Sequence, residues 1–279
     1  IRWLHLKDEN GFSLESAREE LYAMLFDGSG DASKIDSVPT LSSKHENVWE
    51  KILILGNPNN PTGRAISATE LERLAEVCRE THTWLMLDEC FQWFLDTRRE
   101  CSFVGNLLNG VGDHVILLNA LTKICSMAGL RLGYGIIPNA GLRERLEKFR
   151  QPWSVSAPAQ AGGVAAFAVL ADHSEGNLLE WTVKSLQTER PRLAEKLEEL
   201  GFIVYPSQTN YLLFRSPDED SRDYKQGCLE HGILIRACEN FEGLNRHYYR
   251  VAVRNRGENE RLINILKEVQ SEEKHNVNL

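Results

Sequence analysis

Short apolar runs alternate with amphipathic stretches through the first half of the chain. Lys51 to Leu55 (KILIL) is almost wholly apolar and ends in a cluster of Asn, Pro and Gly, which predicts a strand buried on both faces of a parallel sheet. The segment SATELERLAEVCRE starts at Ser67 and repeats its apolar residues Leu71, Leu74, Ala75 and Cys78 at helical spacing, with Ser67 or Thr69 as the cap. Trp84 to Leu87 predicts a second strand, running straight into Asp88-Glu89. Val115 to Leu118 predicts a third, running into Asn119-Ala120-Leu121-Thr122-Lys123, and Leu132 to Ile137 a fourth. Strand, helix, strand in this rhythm defines a three-layer α/β domain with a largely parallel sheet.

The texture changes around Gln151-Pro152-Trp153. A helical stretch from Ala157 to Leu200, in one or two pieces, is followed by short strands at Phe202 to Tyr205, Tyr211 to Phe214, Ile233 to Ile235 and Tyr249 to Val253. An amphipathic helix is expected from Glu258 to Lys274. The reading is a large domain over residues 1–155, then an interdomain helix and a smaller α+β domain with a mixed or antiparallel sheet over residues 156–279. Two such domains create a cleft.

Charge narrows the class of partner. The 279 residues carry 40 carboxylates against 32 lysines and arginines, a formal charge of −8, which argues against nucleic acid or an anionic membrane as a partner. Apolar stretches such as Gly162 to Ala171 fall short of the roughly 20 residues a membrane helix needs. The six cysteines form no CxxC pair and no Cys/His ligand spacing. Reduced thiols, no metal site and a soluble, cytoplasmic protein are therefore expected. His82, His114 and His173 read as surface or helix-end residues.

In open α/β sheets, ligands gather outside the carboxyl ends of the strands. Three of the four expected strands end in chemistry: the amide-rich turn Asn57-Pro58-Asn59-Asn60-Pro61-Thr62-Gly63, then Asp88, then Lys123. Each alone would be an ordinary solvated group. Together they would place an acid, an amine and a polar turn in one crevice. Arg131 follows in Gly129-Leu130-Arg131-Leu132-Gly133-Tyr134, where flanking glycines allow the backbone to approach a phosphate closely.

NPNNPTG, LDECF and LTK followed by GLRLGYG, in this order and at these spacings, resemble the fold-type-I pyridoxal-phosphate (PLP) enzymes of the aminotransferase superfamily. The likeness continues through the small domain. It implies Lys123 as the amine that holds PLP covalently and later shuttles a proton. It implies Asp88 as the carboxylate that keeps the pyridine nitrogen protonated. Asn60 would bond the cofactor's 3′-oxygen and help seat the substrate carboxylate, and Arg131, helped by Thr122, would anchor the phosphate. One position departs from the pattern. These aminotransferases usually have a tyrosine three residues after the acid, where this chain has Phe91, explained either by drift or by a different PLP reaction, the second favoured by segments further along the chain.

The segments QPWSVSAPA, TNYLLFR, ILIRAC and YYRVAVRN resemble the threonine-phosphate decarboxylases, close relatives of the histidinol-phosphate aminotransferases. The resemblance implies loss of CO2 from O-phospho-L-threonine to give (R)-1-amino-2-propanol O-phosphate in cobalamin biosynthesis. A histidinol-phosphate-type aminotransferase and a non-catalytic truncated PLP-fold chain are the alternatives. Planar guanidinium groups suit both ends of a phosphorylated amino acid. Arg250 is the residue implied for the α-carboxylate and Arg236 for the substrate phosphate, with Arg254 and Arg246 as helpers. The family also implies a homodimer with shared active sites. Its N-terminal arm, glycine-containing phosphate loop and ring-stacking aromatic are not found in the 56 residues before Asn57. The expectation is a chain without that N-terminal part, whose phosphate site lacks several charge-assisted bonds of about 1.5–3 kcal/mol each.

Overall fold

The computed structural model describes residues 4, 6–25, 51–217 and 219–276. Helix α1 (Arg18–Leu25) is followed by strand β1 (Lys51–Gly56), helix α2 (Ala68–Glu80) and strand β2 (Thr83–Asp88). Short helices α3 (Arg98–Cys101) and α4 (Val104–Leu108) lead to β3 (Val115–Ala120) and β4 (Gly133–Ile136). These strands form one sheet in the order β1-β2-β3-β4. The first three are parallel and β4 is antiparallel to β3, so the expected mostly parallel α/β sheet is present.

The helix α2 shows how the sequence sets this layer. The Ser67 hydroxyl accepts from the Glu70 N–H at 3.3 Å, capping the helix start. Leu71, Leu74, Ala75 and Cys78 then bury one stripe in the same core as Leu85, Leu87 and Leu117 of the sheet. Each leucine so buried contributes about 1.5–3 kcal/mol. His114 is a correction to the surface reading. It is 3% exposed, and its Nε2 lies 2.7 Å from the Ala75 carbonyl oxygen, which pins α2 to the start of β3.

In the second half, α5 (Ala140–Phe149), α6 (Ala157–Leu170) and α7 (Leu178–Glu199) precede β5 (Ile203–Val204) and β6 (Tyr211–Arg215). Then come α8 (Tyr224–Glu230), β7 (Arg236–Ala237), β8 (Tyr248–Ala252) and α9 (Arg256–Asn276). The long helical stretch is thus two helices. The chain turns at Gly176, with φ +74°, and Asn177 caps α7 by accepting from the Glu180 N–H. The small sheet runs β5-β6-β8-β7 and is antiparallel throughout. Ile233 to Ile235 is not a strand: pairing starts one residue later, with Arg236 opposite Arg250. Ile235 is buried in the core that also takes in Leu193, Phe214, Tyr249 and Leu266.

That core continues into the first half of the chain through Phe94, Leu121 and Ile124. The connections leaving β2 and β3 therefore rest on the small sheet's own core. Among the described residues no helix is long and apolar enough to cross a membrane, and no cluster of His, Cys, Asp and Glu could hold a metal ion. All six cysteines are free.

Candidate active site

The turn after β1 is built from buried polar groups. The Asn57 side chain donates to the Cys101 carbonyl at 2.6 Å and accepts from the Ile66 N–H at 2.8 Å, and the Asn57-Pro58 and Asn60-Pro61 bonds are cis. Three bonds clamp the turn to the segment before β6. The Gln208 N–H donates to the Gly63 carbonyl at 2.9 Å, the Ala65 N–H to Gln208 Oε1 at 2.8 Å, and the Tyr211 hydroxyl to the Asn59 carbonyl at 2.7 Å. Held this way, Asn60 is exposed, and its side-chain oxygen accepts a bond from the Arg250 guanidinium across the cleft.

At the end of β2, successive side chains point to opposite faces. Asp88 is exposed, accepting from the Cys90 N–H at 3.0 Å, whereas Glu89 is completely buried. After β3, Leu121 and Ile124 are buried on either side of Thr122-Lys123, so the lysine between them is turned outward. Lys123 Nζ lies over the Phe91 ring, 5.7 Å from its centre. Cys90 shares this corner, but burial, reinforced by the Asp88 carboxylate, pushes its thiol up to about 12. A thiol raised in this way stays protonated at neutral pH.

Phe91 makes an edge-on contact with Tyr211 at 5.0 Å, and the Arg250 guanidinium lies 5.0 Å from the Tyr211 ring centre. Lys123, Phe91, Tyr211 and Arg250 thus form one continuous wall of a pocket of about 990 Å³. Arg236 faces the same space directly opposite Arg250, and donates to the Asn240 side chain at 2.9 Å. Lys225, Arg254 and Arg261 extend the wall, against the carboxylates of Glu239 and Glu258. A chain of net charge −8 therefore concentrates positive potential in this pocket.

The sequence-derived residues divide into two groups. Lys123, Arg236 and Arg250 line the pocket, and Asn60 reaches it through its bond to Arg250. Asp88, Thr122 and Arg131 are not part of that wall. Arg131 has a left-handed backbone, φ +53°, at the end of the β3–β4 connection, and donates to the Ala128 carbonyl at 3.1 Å. Arg254 is engaged by Glu258 at 2.9 Å, and Arg246 points at His247 away from the pocket wall. Tyr211 and Glu89 are the residues that motif reading missed. Tyr211 carried a weak signal as the lone phenol in TNYLLFR, and Glu89 none beyond its place next to Asp88.

Comparison with known proteins identifies the family. Residues 31–266 match the family of class I and II aminotransferases. The chain is 36% identical over 218 residues to threonine-phosphate decarboxylase of Salmonella typhimurium, covering 78% of this chain and 57% of that protein. It is 33% identical over 218 residues to histidinol-phosphate aminotransferase of Nitratidesulfovibrio vulgaris strain Hildenborough, covering 78% and 55%. The crystal structure of the histidinol-phosphate aminotransferase from Clostridium acetobutylicum matches with a TM-score of 0.72 at 28% identity, covering 90% of this chain and 68% of that one. The chain belongs to the class I and II aminotransferase family of PLP-dependent enzymes. It spans a little over half the length of these curated relatives, and both a decarboxylase and an aminotransferase stand among them.

Proposed function

We propose that the protein decarboxylates O-phospho-L-threonine to (R)-1-amino-2-propanol O-phosphate with PLP as cofactor, a step of cobalamin biosynthesis. The observation that carries this reading is the pairing of Arg236 with Arg250. Residues directly opposite in an antiparallel pair have Cβ atoms about 4.5–5.5 Å apart, and like charges there repel. Anions between them turn that repulsion into two charge-assisted, bidentate contacts. Phosphothreonine carries a carboxylate and a phosphate on neighbouring carbons, a spacing suited to two adjacent guanidinium groups. Histidinol phosphate carries no carboxylate. Arg250, beside Asn60, takes the carboxylate in this reading, and Arg236 the phosphate.

The donor set fits the cofactor: an exposed amine and an exposed carboxylate at the ends of the adjacent strands β3 and β2. Lys123 would carry PLP, Asp88 would hold its ring nitrogen protonated, Asn60 would bond its 3′-oxygen, and Arg131 with Thr122 would hold its phosphate. When bound, PLP supplies an electron sink for the bond broken at the substrate's Cα. The protein's part is orientation. Arg250 and Arg236 fix where the two anionic groups lie, and so which bond at Cα faces the ring. Lys123, whose Nζ lies over the Phe91 ring, then returns a proton to Cα. A homodimer belongs to the same proposal: Phe149 and Trp153 are 85% and 96% exposed, and burial against a second copy would remove them from water.

The test supplies the purified full-length protein with PLP and carboxyl-labelled O-phospho-L-threonine and measures labelled CO2. Release is expected, and Arg236→Ala is expected to raise KM at least ~10-fold, since a bond to a charged group contributes about 1.5–3 kcal/mol. Transfer of an amino group to a 2-oxo acid, with no CO2, would overturn the reading in favour of the aminotransferase represented among the relatives.

A further inference from the structure

Glu89 is a buried acid that the proposed chemistry leaves unused. It is 0% exposed, and among the described residues no cation bonds to it. Its carboxyl accepts from the Ser102 hydroxyl at 2.7 Å and from the Phe103 N–H at 2.8 Å, while its own N–H still pairs with the Leu118 carbonyl of β3 at 2.8 Å. The adjacent Asn57 side chain ties the Cys101 carbonyl to the turn after β1. The ends of three neighbouring strands are thus laced to the α3–α4 junction by one buried polar network, whose members must all stay satisfied.

We propose that Glu89 is a positioning residue: its carboxyl fixes the backbone that holds Asp88 exposed at the end of β2. This rests on the PLP reading for what Asp88 serves. The geometry supports it because the two acids are consecutive, one exposed and one sealed, and the sealed one has little solvent to screen it. Four titratable groups face or adjoin Glu89: Asp88 on its own strand, Cys90 after it, Cys101 on α3 and Tyr134 on β4. Burial is the largest influence on Glu89, outweighing the bonds from Phe103 and Ser102, and Asp88 adds to it; its carboxyl is raised to about 7. An acid raised by folding stabilises the fold below its unfolded value of 4.5 and loses that contribution as pH rises through about 7.

The experiment follows the carboxyl ¹³C signals of Asp88 and Glu89 between pH 5 and 9, in wild type and in Glu89→Gln, which keeps an oxygen for the Phe103 N–H. The Asp88 signal is expected to show a step at the Glu89 midpoint that disappears in Glu89→Gln. Ser102→Ala, which removes a bond to the charged form, is expected to move that midpoint upward. A flat Asp88 signal, or a step unchanged in Glu89→Gln, overturns the proposal. The same titration with PLP added is expected to show the midpoint in the cofactor's absorption. A wild-type protein that takes up no PLP would sink the cofactor reading, while the Asp88 signal still decides the role of Glu89.

Discussion

If the proposed decarboxylation is the reaction, Lys123→Ala is expected to abolish CO2 release, lowering turnover by more than about 10³-fold, while leaving the fold essentially unchanged. The large effect follows from two losses at one atom. The amine that would hold the cofactor is gone, and so is the group that would return a proton to Cα, a general-acid contribution of about 10²–10⁴ by itself. The small effect on stability follows from exposure. Lys123 is outside the core, whereas Leu121 and Ile124, its buried neighbours, carry the packing of that turn. Its contact with the Phe91 ring at 5.7 Å is worth about 0.5–1 kcal/mol at an exposed site. Borohydride reduction with PLP, followed by peptide mapping, checks the assignment separately from turnover. A stable adduct on the Lys123 peptide in wild type and none in Lys123→Ala is the expected pair of results. Undiminished turnover in the variant would remove Lys123 from the chemistry.

How much of this was legible depends on how local each signal is. Lys51 to Leu55 could be recognised as a strand from its unbroken apolar run, but the expected burial on both faces is not found: Ile52 and Ile54 are 50% and 63% exposed, so only one face is covered. The helix α2 was legible because its stripe and its Ser67 cap lie within a few residues of each other. The direction of β4 was not legible. The run from Leu132 to Ile137 looks the same whether it pairs parallel or antiparallel with β3, and orientation is set by the path of the β3–β4 connection. The strand β7 was displaced for a related reason. Ile233 to Ile235 has the composition of a strand, but Ile235 is taken by the core while the ladder begins at Arg236. The helix α5 carries an apolar stripe, Leu142, Leu146 and Phe149, at helical spacing, but the structure buries none of its side chains.

The site divides along the same line. The amine of Lys123 and the acid of Asp88 were legible because each sits at a strand's carboxyl end in a recognisable motif. The pairing of Arg236 with Arg250 was not, although both residues were singled out. Sheet register across fourteen positions of chain is a tertiary fact. Glu89 illustrates the finer limit. Asp88 and Glu89 are chemically alike and adjacent, and only the alternation of faces at the end of β2 leaves one exposed and sends the other into the interior.

Gly63→Ala tests whether the two halves of the cleft are held in register by the turn after β1. The substitution is expected to destabilise the protein by about 2–4 kcal/mol and to weaken binding of anionic ligands at Arg250. Gly63 has φ +75°, where an L side chain is strained by about 1–2 kcal/mol. Its new Cβ would also lie 2.1 Å from Ser207 Oγ, 2.8 Å from Thr209 Oγ1 and 2.9 Å from Ser207 Cβ. The serine hydroxyl has no free direction, since it donates to the Tyr211 carbonyl at 2.6 Å and accepts from the Thr209 N–H at 3.2 Å. The turn must therefore move away from residues 207–211. That movement breaks the bonds from Gln208 to Gly63 and from Tyr211 to Asn59, each worth about 0.5–1.5 kcal/mol. Because Asn60 hangs from this turn and Arg250 from the opposite sheet, their bond is lost with it. At about 2–4 °C per kcal/mol for a protein of this size, a fall in Tm of roughly 4–16 °C is the measurable consequence. Adding Ser207→Gly removes the obstructing side chain and is expected to restore part of the loss. If the single variant melts with wild type, the turn is not pressed against the small sheet, and the cleft is not set by this contact.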